Sequence, residues 1–166
     1  MKGHYNSFVR FKHNNSIAEV NNETLIFGTT LMTPKNDSIK FNIELIKIPD
    51  YYWFGFVPGT MQTILNSDRY IPGNVDRSLP GWGMCEDGII TVGSDNGAPP
   101  SKIKGSLRSD DIVTFKIINR GTLKIYVKRK SKPPTIKQYK SPSFPQYITP
   151  VIVTKTGSGY GKFKIS

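Results

Sequence analysis

The side chains that most often perform chemistry are few in this sequence, and they stand apart from one another. The two histidines, His4 and His13, lie near the N-terminus, and the single cysteine, Cys85, lies within an apolar stretch. A nucleophilic enzyme needs its nucleophile beside a base, and a zinc site needs clustered Cys and His ligands. Because neither pattern occurs, we interpret the histidines as surface or turn residues and Cys85 as a small core residue.

The acidic pairs are explained by chain conformation. Glu86 and Asp87 are adjacent carboxylates, but Asp87 is followed by Gly88, and Asp-Gly is a strong signal for a hairpin turn. The Asp-Asn-Gly triplet at 95–97 has oxygens that could hold a cation, yet the same triplet is typical of a tight turn. The sequence also has no glycine motif for phosphate binding. These residues predict a protein that is not an enzyme and has no metal site or cofactor.

The residues from Asp111 to Lys130 predict the clearest structural element, an antiparallel hairpin. Apolar and polar residues alternate on both sides of a short loop that ends at Gly121, which is the pattern of strands with one buried face. With Gly121 at the left-handed position of a three-residue loop, the register is determined. The predicted inward pairs are Ile117 with Leu123, Phe115 with Ile125 and Val113 with Val127; the outward pairs are Lys116 with Lys124 and Thr114 with Tyr126.

Short apolar runs separated by Gly, Pro and Asn turns continue along the chain, and helical spacing is never sustained. The strongest strand of the first half runs from Ile39 to Ile48, and its apolar phase slips at Leu45-Ile46, which predicts a bulge. Long loops are expected at 58–80, 94–108 and 128–145. The sequence thus predicts an all-β fold, an antiparallel sandwich with little or no helix.

The order of these segments resembles the SPRY domain, the core of the B30.2 module. The segments that carry the resemblance are 41–45, 53–57, 81–88 with its Gly-Trp-Gly start and Asp-Gly turn, 111–115, 121–127 and the Pro-containing 147–151. The resemblance implies a bent sandwich of two antiparallel sheets that recognises a peptide or a folded partner through loops at one edge, without catalysis. We expect a domain of residues 17–166, with residues 1–16 as an N-terminal strand or arm packed on it.

Positive charge is concentrated in the second part of the chain. The formal net charge is +11; residues 1–100 contain eight Lys or Arg and ten Asp or Glu, whereas residues 101–166 contain fifteen and two. No acidic residue follows Asp111. Such asymmetry is consistent with an anionic partner, although a basic surface that only keeps the protein in solution is the favoured interpretation.

Three hypotheses about function follow. The first is a protein- or peptide-recognition module, either alone or as one subunit of a larger assembly, with anchors of the types found at interface hot spots: Tyr51, Tyr52, Met61, Arg69, Tyr70 and Arg77. The second is binding of nucleic acid or another polyanion, including a place in a ribonucleoprotein, through these residues: Lys116, Lys124, Tyr126, Lys128, Arg129, Lys130, Lys162 and Lys164. The third and least favoured is carbohydrate binding. Trp53 and Trp82 are assigned to the core.

The sequence also predicts the cellular compartment of the protein. No apolar stretch is long enough to span a bilayer, and the N-terminal residues lack the pattern of a signal peptide. A single cysteine fits a reducing compartment. We therefore expect an intracellular protein, cytoplasmic or nuclear.

Overall fold

Alternation of apolar and polar residues produces strands along the described chain, in which no helix occurs. The computed structural model describes residues 8–12, 17–21, 24–27, 39–59, 81–93, 101–118, 122–140, 147–154 and 157–166. The strands are β1 (Phe8–Lys12), β2 (Ile17–Asn21), β3 (Thr24–Phe27), β4 (Ile39–Lys47), β5 (Tyr52–Pro58), β6 (Gly81–Cys85), β7 (Ile89–Gly93), β8 (Ser101–Lys102), β9 (Ile112–Ile118), β10 (Thr122–Arg129), β11 (Lys132–Lys140), β12 (Ile148–Thr154) and β13 (Tyr160–Ile165).

The strands form two sheets. A seven-stranded sheet has the order β1-β2-β13-β4-β9-β10-β11, and a six-stranded sheet has the order β3-β12-β5-β6-β7-β8. All described pairings are antiparallel. The predicted all-β sandwich is therefore confirmed. β1, which lies within the segment 1–16, pairs along the whole length of β2.

The hairpin formed by β9 and β10 has the predicted register. Ile117 pairs with Leu123, and Lys116 lies opposite Lys124. The inward side chains of both strands are buried, and the outward ones are partly exposed or exposed. The predicted bulge in β4 is also present: β13 pairs Phe163 with Leu45 but Lys162 with Lys47, so Ile46 is the extra residue.

The expected loop at 128–145 is wrong for residues 132–140, which form β11 at the edge of the seven-stranded sheet. This strand lacks an apolar face: partly exposed Thr135, Lys137 and Tyr139 alternate with exposed residues. An edge strand needs only one hydrogen-bonded neighbour and tolerates Pro and Lys, so hydrophobic periodicity does not reveal it. Within the expected loop 94–108, the short strand β8 occupies 101–102.

The core lies between the two sheets and is rich in aromatic rings. Phe115 of β9 contacts Phe54 and Phe56 of β5 edge-on, with ring centroids 5.8 Å apart in both cases. Trp53, Trp82 and Cys85 are buried, as predicted. A methyl group at Gly83 would meet the Trp53 ring at 2.4 Å, so glycine allows the indole to lie directly against β6.

Candidate functional site

One end of the sandwich holds the residue from which the predicted binding loop departs. Gly59 follows β5 with a φ of 97°, a conformation that favours glycine. Its backbone N–H donates to the Tyr147 carbonyl at 2.9 Å, and its own carbonyl accepts from the Thr149 hydroxyl at 2.8 Å. The Thr149 side chain is buried. These two hydrogen bonds tie the exit from β5 to the start of β12.

The predicted partner-binding residues differ in their exposure to solvent. Tyr51 is 50% exposed, whereas Tyr52 is completely buried and packs against Phe54 and Phe163. The prediction that Tyr52 anchors a partner is therefore wrong, because a buried ring has no surface to offer. The other four predicted anchors lie outside the described residues and stay predictions: Met61, Arg69, Tyr70 and Arg77.

Tyr51 and Gly59 stand at opposite ends of β5. A strand rises about 3.3 Å per residue, so the backbones of these two residues are roughly 26 Å apart. An aromatic residue that the sequence reasoning did not select, Tyr147, lies at the Gly59 end with 38% exposure. Tyr147, Gly59 and Thr149 are called the loop end below. The available signal for Tyr147 was an aromatic residue at the first position of the predicted segment 147–151.

Four of the predicted polyanion-binding residues share the outer face of the seven-stranded sheet. Lys116 projects from β9, and Lys124, Tyr126 and Lys128 project from β10. Lys40 of β4 lies opposite Lys116 and extends this group, although the sequence reasoning did not include it. Only the pairing of β4 with β9, two segments far apart in the chain, brings it there.

The remaining predicted polyanion-binding residues have different surroundings. The Arg129 guanidinium donates to the carbonyls of Lys104, Gly105 and Ser106 at 3.1, 3.4 and 3.1 Å. Its Nε lies 3.5 Å from the Asp111 carboxylate. The Arg129 guanidinium is therefore bound by its own chain, and its part in polyanion binding stays a prediction. Lys130 is exposed in the turn before β11.

Two predicted lysines of β13 form ion pairs on the outer face. Lys162 Nζ lies 3.3 Å from a Glu19 carboxylate oxygen, and Lys164 Nζ lies 3.5 Å from one of Glu44. Their charges are thus partly balanced within the chain. The Lys164 pair borders a groove of about 300 Å³ on this face. The groove is lined by Lys40, Asn42, Glu44, Ile112, Thr114, Lys164 and Ser166.

The ionisation of Tyr52 is strongly perturbed. Burial raises the pKa of its phenol far above the usual value, and the Glu86 and Asp111 carboxylates raise this pKa further. The phenol is therefore protonated at neutral pH. Within the described ranges, no three His, Cys, Asp or Glu residues come together as a possible metal site. No helix among those residues is long and apolar enough to cross a membrane.

Comparison with known proteins shows likeness in structure alone. No protein-family model and no curated protein matches the sequence. Among solved structures, the SPRY domain of human HERC1 matches with a TM-score of 0.60 at 12% identity, over 92% of this chain and 89% of that one. The TRIM65 PSpry domain matches with a TM-score of 0.61 at 12% identity, over 95% and 85%. The fold is SPRY-like.

The SPRY-like fold has lectin neighbours as well. Peanut lectin with a 9-residue peptide matches with a TM-score of 0.54 at 11% identity, over 95% of this chain and 86% of that one. The matches to the HERC1 and TRIM65 domains confirm, for the fold, the resemblance to the SPRY domain that the order of sequence segments indicated.

Proposed function

We propose that this protein is a non-catalytic module that recognises a protein or peptide through its loop end. The observation that carries the proposal is the anchored exit from β5 in a SPRY-like sandwich. Hydrogen bonds from Gly59 to Tyr147 and from Thr149 to Gly59 fix the residue from which the chain leaves for 60–80. A binding loop on a rigid scaffold loses less conformational entropy when it engages a partner.

The residue types at the loop end also support the proposal. Tyr147 is exposed beside Gly59, and the segment that follows Gly59 contains Met61, Arg69, Tyr70 and Arg77. Aromatic, Met and Arg side chains are the types enriched at protein interfaces. The peanut lectin structure with its 9-residue peptide offers a precedent for peptide contact within this group of sandwiches. A protein or peptide is therefore the partner class that the fold and the residues favour together.

The test is an affinity capture with quantitative proteomics from extracts of the source cells. The baits are the wild type, the double variant Tyr70→Ala/Arg77→Ala, and Tyr147→Ala. We expect a partner enriched on the wild type to fall at least tenfold on the double variant and on Tyr147→Ala. The purified partner should then show the same order of affinities in calorimetry.

Tyr51→Ala is the matched control, because it removes an exposed tyrosine from the opposite end of β5. It should retain the partner. Equal recovery on all baits would contradict the proposal, and loss on Tyr51→Ala alone would move the site to the other end. A partner released by nuclease would support nucleic-acid binding instead, and a specific signal on a glycan array would support the carbohydrate hypothesis.

A further inference from the structure

The two sheets differ in how their outer faces are covered. In the six-stranded sheet, β6 and β12 are buried at every position, so side chains on both faces are shielded. In the seven-stranded sheet, β9 alternates strictly between buried and partly exposed residues. The outer face of the seven-stranded sheet is thus open at its centre, where a solvated sheet face can receive a ligand.

Three lysines form a row across this open face. Lys40 of β4 lies opposite Lys116 of β9, which in turn lies opposite Lys124 of β10. Neighbouring strands are about 4.8 Å apart, so the three side chains start within roughly 10 Å of each other. Like charges directly opposite each other on neighbouring strands destabilise a sheet. The residues Lys40, Lys116 and Lys124 are called the lysine row below.

No acidic side chain of the described ranges balances the lysine row. The ion pairs found there join Arg129 to Asp111, Lys162 to Glu19 and Lys164 to Glu44, and none includes the row. Glu44, the carboxylate in the neighbouring groove, is already paired with Lys164 at 3.5 Å. The fold therefore maintains a repulsive arrangement that an external anion would relieve.

Beside the lysine row, a second row of outward side chains crosses the same strands and is polar at one end and apolar at the other. It consists of Asn42, Thr114, Tyr126 and Ile136. Thr114 donates a hydrogen bond to the Asn42 side-chain oxygen at 2.7 Å, and Asn42 donates to the Ser166 hydroxyl at 3.3 Å. Tyr126 continues this row, followed by Ile136 of β11, which is 53% exposed. The row thus offers hydrogen-bonding groups beside the groove and an apolar contact at the sheet edge.

We propose that the lysine row and the groove beside it bind an acidic protein segment in an extended conformation. Carboxylates of the segment would contact Lys40, Lys116 and Lys124, and an apolar residue would pack on Ile136. Alternate side chains of an extended peptide are roughly 7 Å apart, so two of its carboxylates fit within the row. This site is separate from the loop end and stands whether or not the loop end binds a partner.

Charge and shape favour this occupant over a second copy or a nucleic acid. A second copy would bring its own lysine row to this face, and β11 adds the exposed Lys140 opposite Thr122 at the edge. A single-stranded nucleic acid needs exposed rings for stacking, whereas Tyr126, the aromatic residue next to the row, is only partly exposed. The exposed Ile136 matches an apolar peptide side chain.

The test uses Lys116→Glu, which places a carboxylate between Lys40 and Lys124. The probe is a fluorescein-labelled dodecapeptide in which glutamate alternates with leucine and serine, and binding is measured by fluorescence anisotropy at low ionic strength. We expect the variant to bind at least tenfold more weakly than the wild type. Its melting temperature should meanwhile rise by about 2–4 °C, because attraction replaces repulsion across the strands. Weaker binding with higher stability cannot arise from misfolding.

Lys102→Glu is the matched control, since it makes the same change in net charge at an exposed position of β8 in the other sheet. It should bind the peptide within twofold of the wild type. An equal loss on Lys102→Glu, or no binding of the peptide by the wild type, would overturn the proposal. Tighter binding of an oligothymidylate of equal charge, lost on Lys116→Glu, would also overturn it and assign the face to nucleic acid.

Discussion

At the scale of single residues, strand geometry separates side chains that are neighbours in the sequence. Tyr51 is exposed and Tyr52 lies in the core, although both were grouped as partner anchors. Lys128 is exposed, while Arg129 follows the inward side of β10 and reaches the segment 104–106. Because successive residues of a strand face opposite ways, an aromatic pair or a basic run contains members with different roles.

Tyr52 is a buried polar residue whose hydroxyl has no hydrogen-bond partner among the described residues. A buried hydroxyl without a partner costs about 1–3 kcal/mol. We therefore expect Tyr52→Phe to raise the free energy of unfolding by about 1 kcal/mol at neutral pH. Urea titrations of both proteins, followed by fluorescence, measure this difference.

The same substitution should change the pH dependence of stability. Burial raises the pKa of the Tyr52 phenol in the folded protein, so above a pH of about 10 the unfolded chain loses this proton and the folded protein keeps it. The stability of the wild type is therefore lost as pH rises through this range, and Tyr52→Phe should lose less. Tyr126→Phe, a phenol removed from the outer face, is the control. Parallel pH profiles for the wild type and Tyr52→Phe would contradict this assignment.

At the scale of elements, the end of β10 organises the segment that precedes β9. Arg129 donates to the carbonyls of Lys104, Gly105 and Ser106 and lies beside Asp111. Asp111 is buried and also accepts from the Arg108 backbone N–H at 3.0 Å. A planar guanidinium can serve several acceptors at once, which the ammonium of a lysine does with poorer geometry.

Arg129→Lys keeps the charge of this site but removes the planar arrangement of donors. We expect the free energy of unfolding to fall by about 1 kcal/mol, because hydrogen bonds to the exposed carbonyls of 104–106 and the contact with buried Asp111 are weakened. Chemical denaturation measures the change. Lys130→Ala removes a neighbouring exposed cation and should stay within about 0.5 kcal/mol of the wild type. Equal effects of the two substitutions would show that the carbonyl contacts contribute nothing to stability.

At the scale of the whole molecule, one aromatic cluster joins the two sheets. Phe115 of the seven-stranded sheet lies between Phe41 of the same sheet and two rings of β5. The apolar cluster that contains these rings extends to β6, β7, β12 and β13. Since each sheet has only this shared core to bury its inner face, the sheets are expected to unfold together.

Phe115→Ala should lower the free energy of unfolding by about 3–5 kcal/mol, because it removes ring contacts with both sheets and leaves a cavity. The melting curves of tryptophan fluorescence, which reports Trp53 and Trp82 of the six-stranded sheet, and of far-ultraviolet circular dichroism should still coincide. Ile136→Ala, at an exposed position of β11, is the control and should change stability by less than about 0.5 kcal/mol. Separate transitions for the two signals would contradict the shared core.

The sequence by itself determined the features that depend on local alternation. The β9–β10 register and the bulge at Ile46 follow from which residues are apolar, because a slip of one position would bury lysines. Strand order, by contrast, depends on contacts between distant segments. Only the tertiary structure places Lys40 beside Lys116, encloses Tyr52 in the core and turns Arg129 towards the segment 104–106. The lysine row therefore combines one pairing that the local pattern predicts, Lys116 with Lys124, and one that only the fold supplies, Lys40 with Lys116.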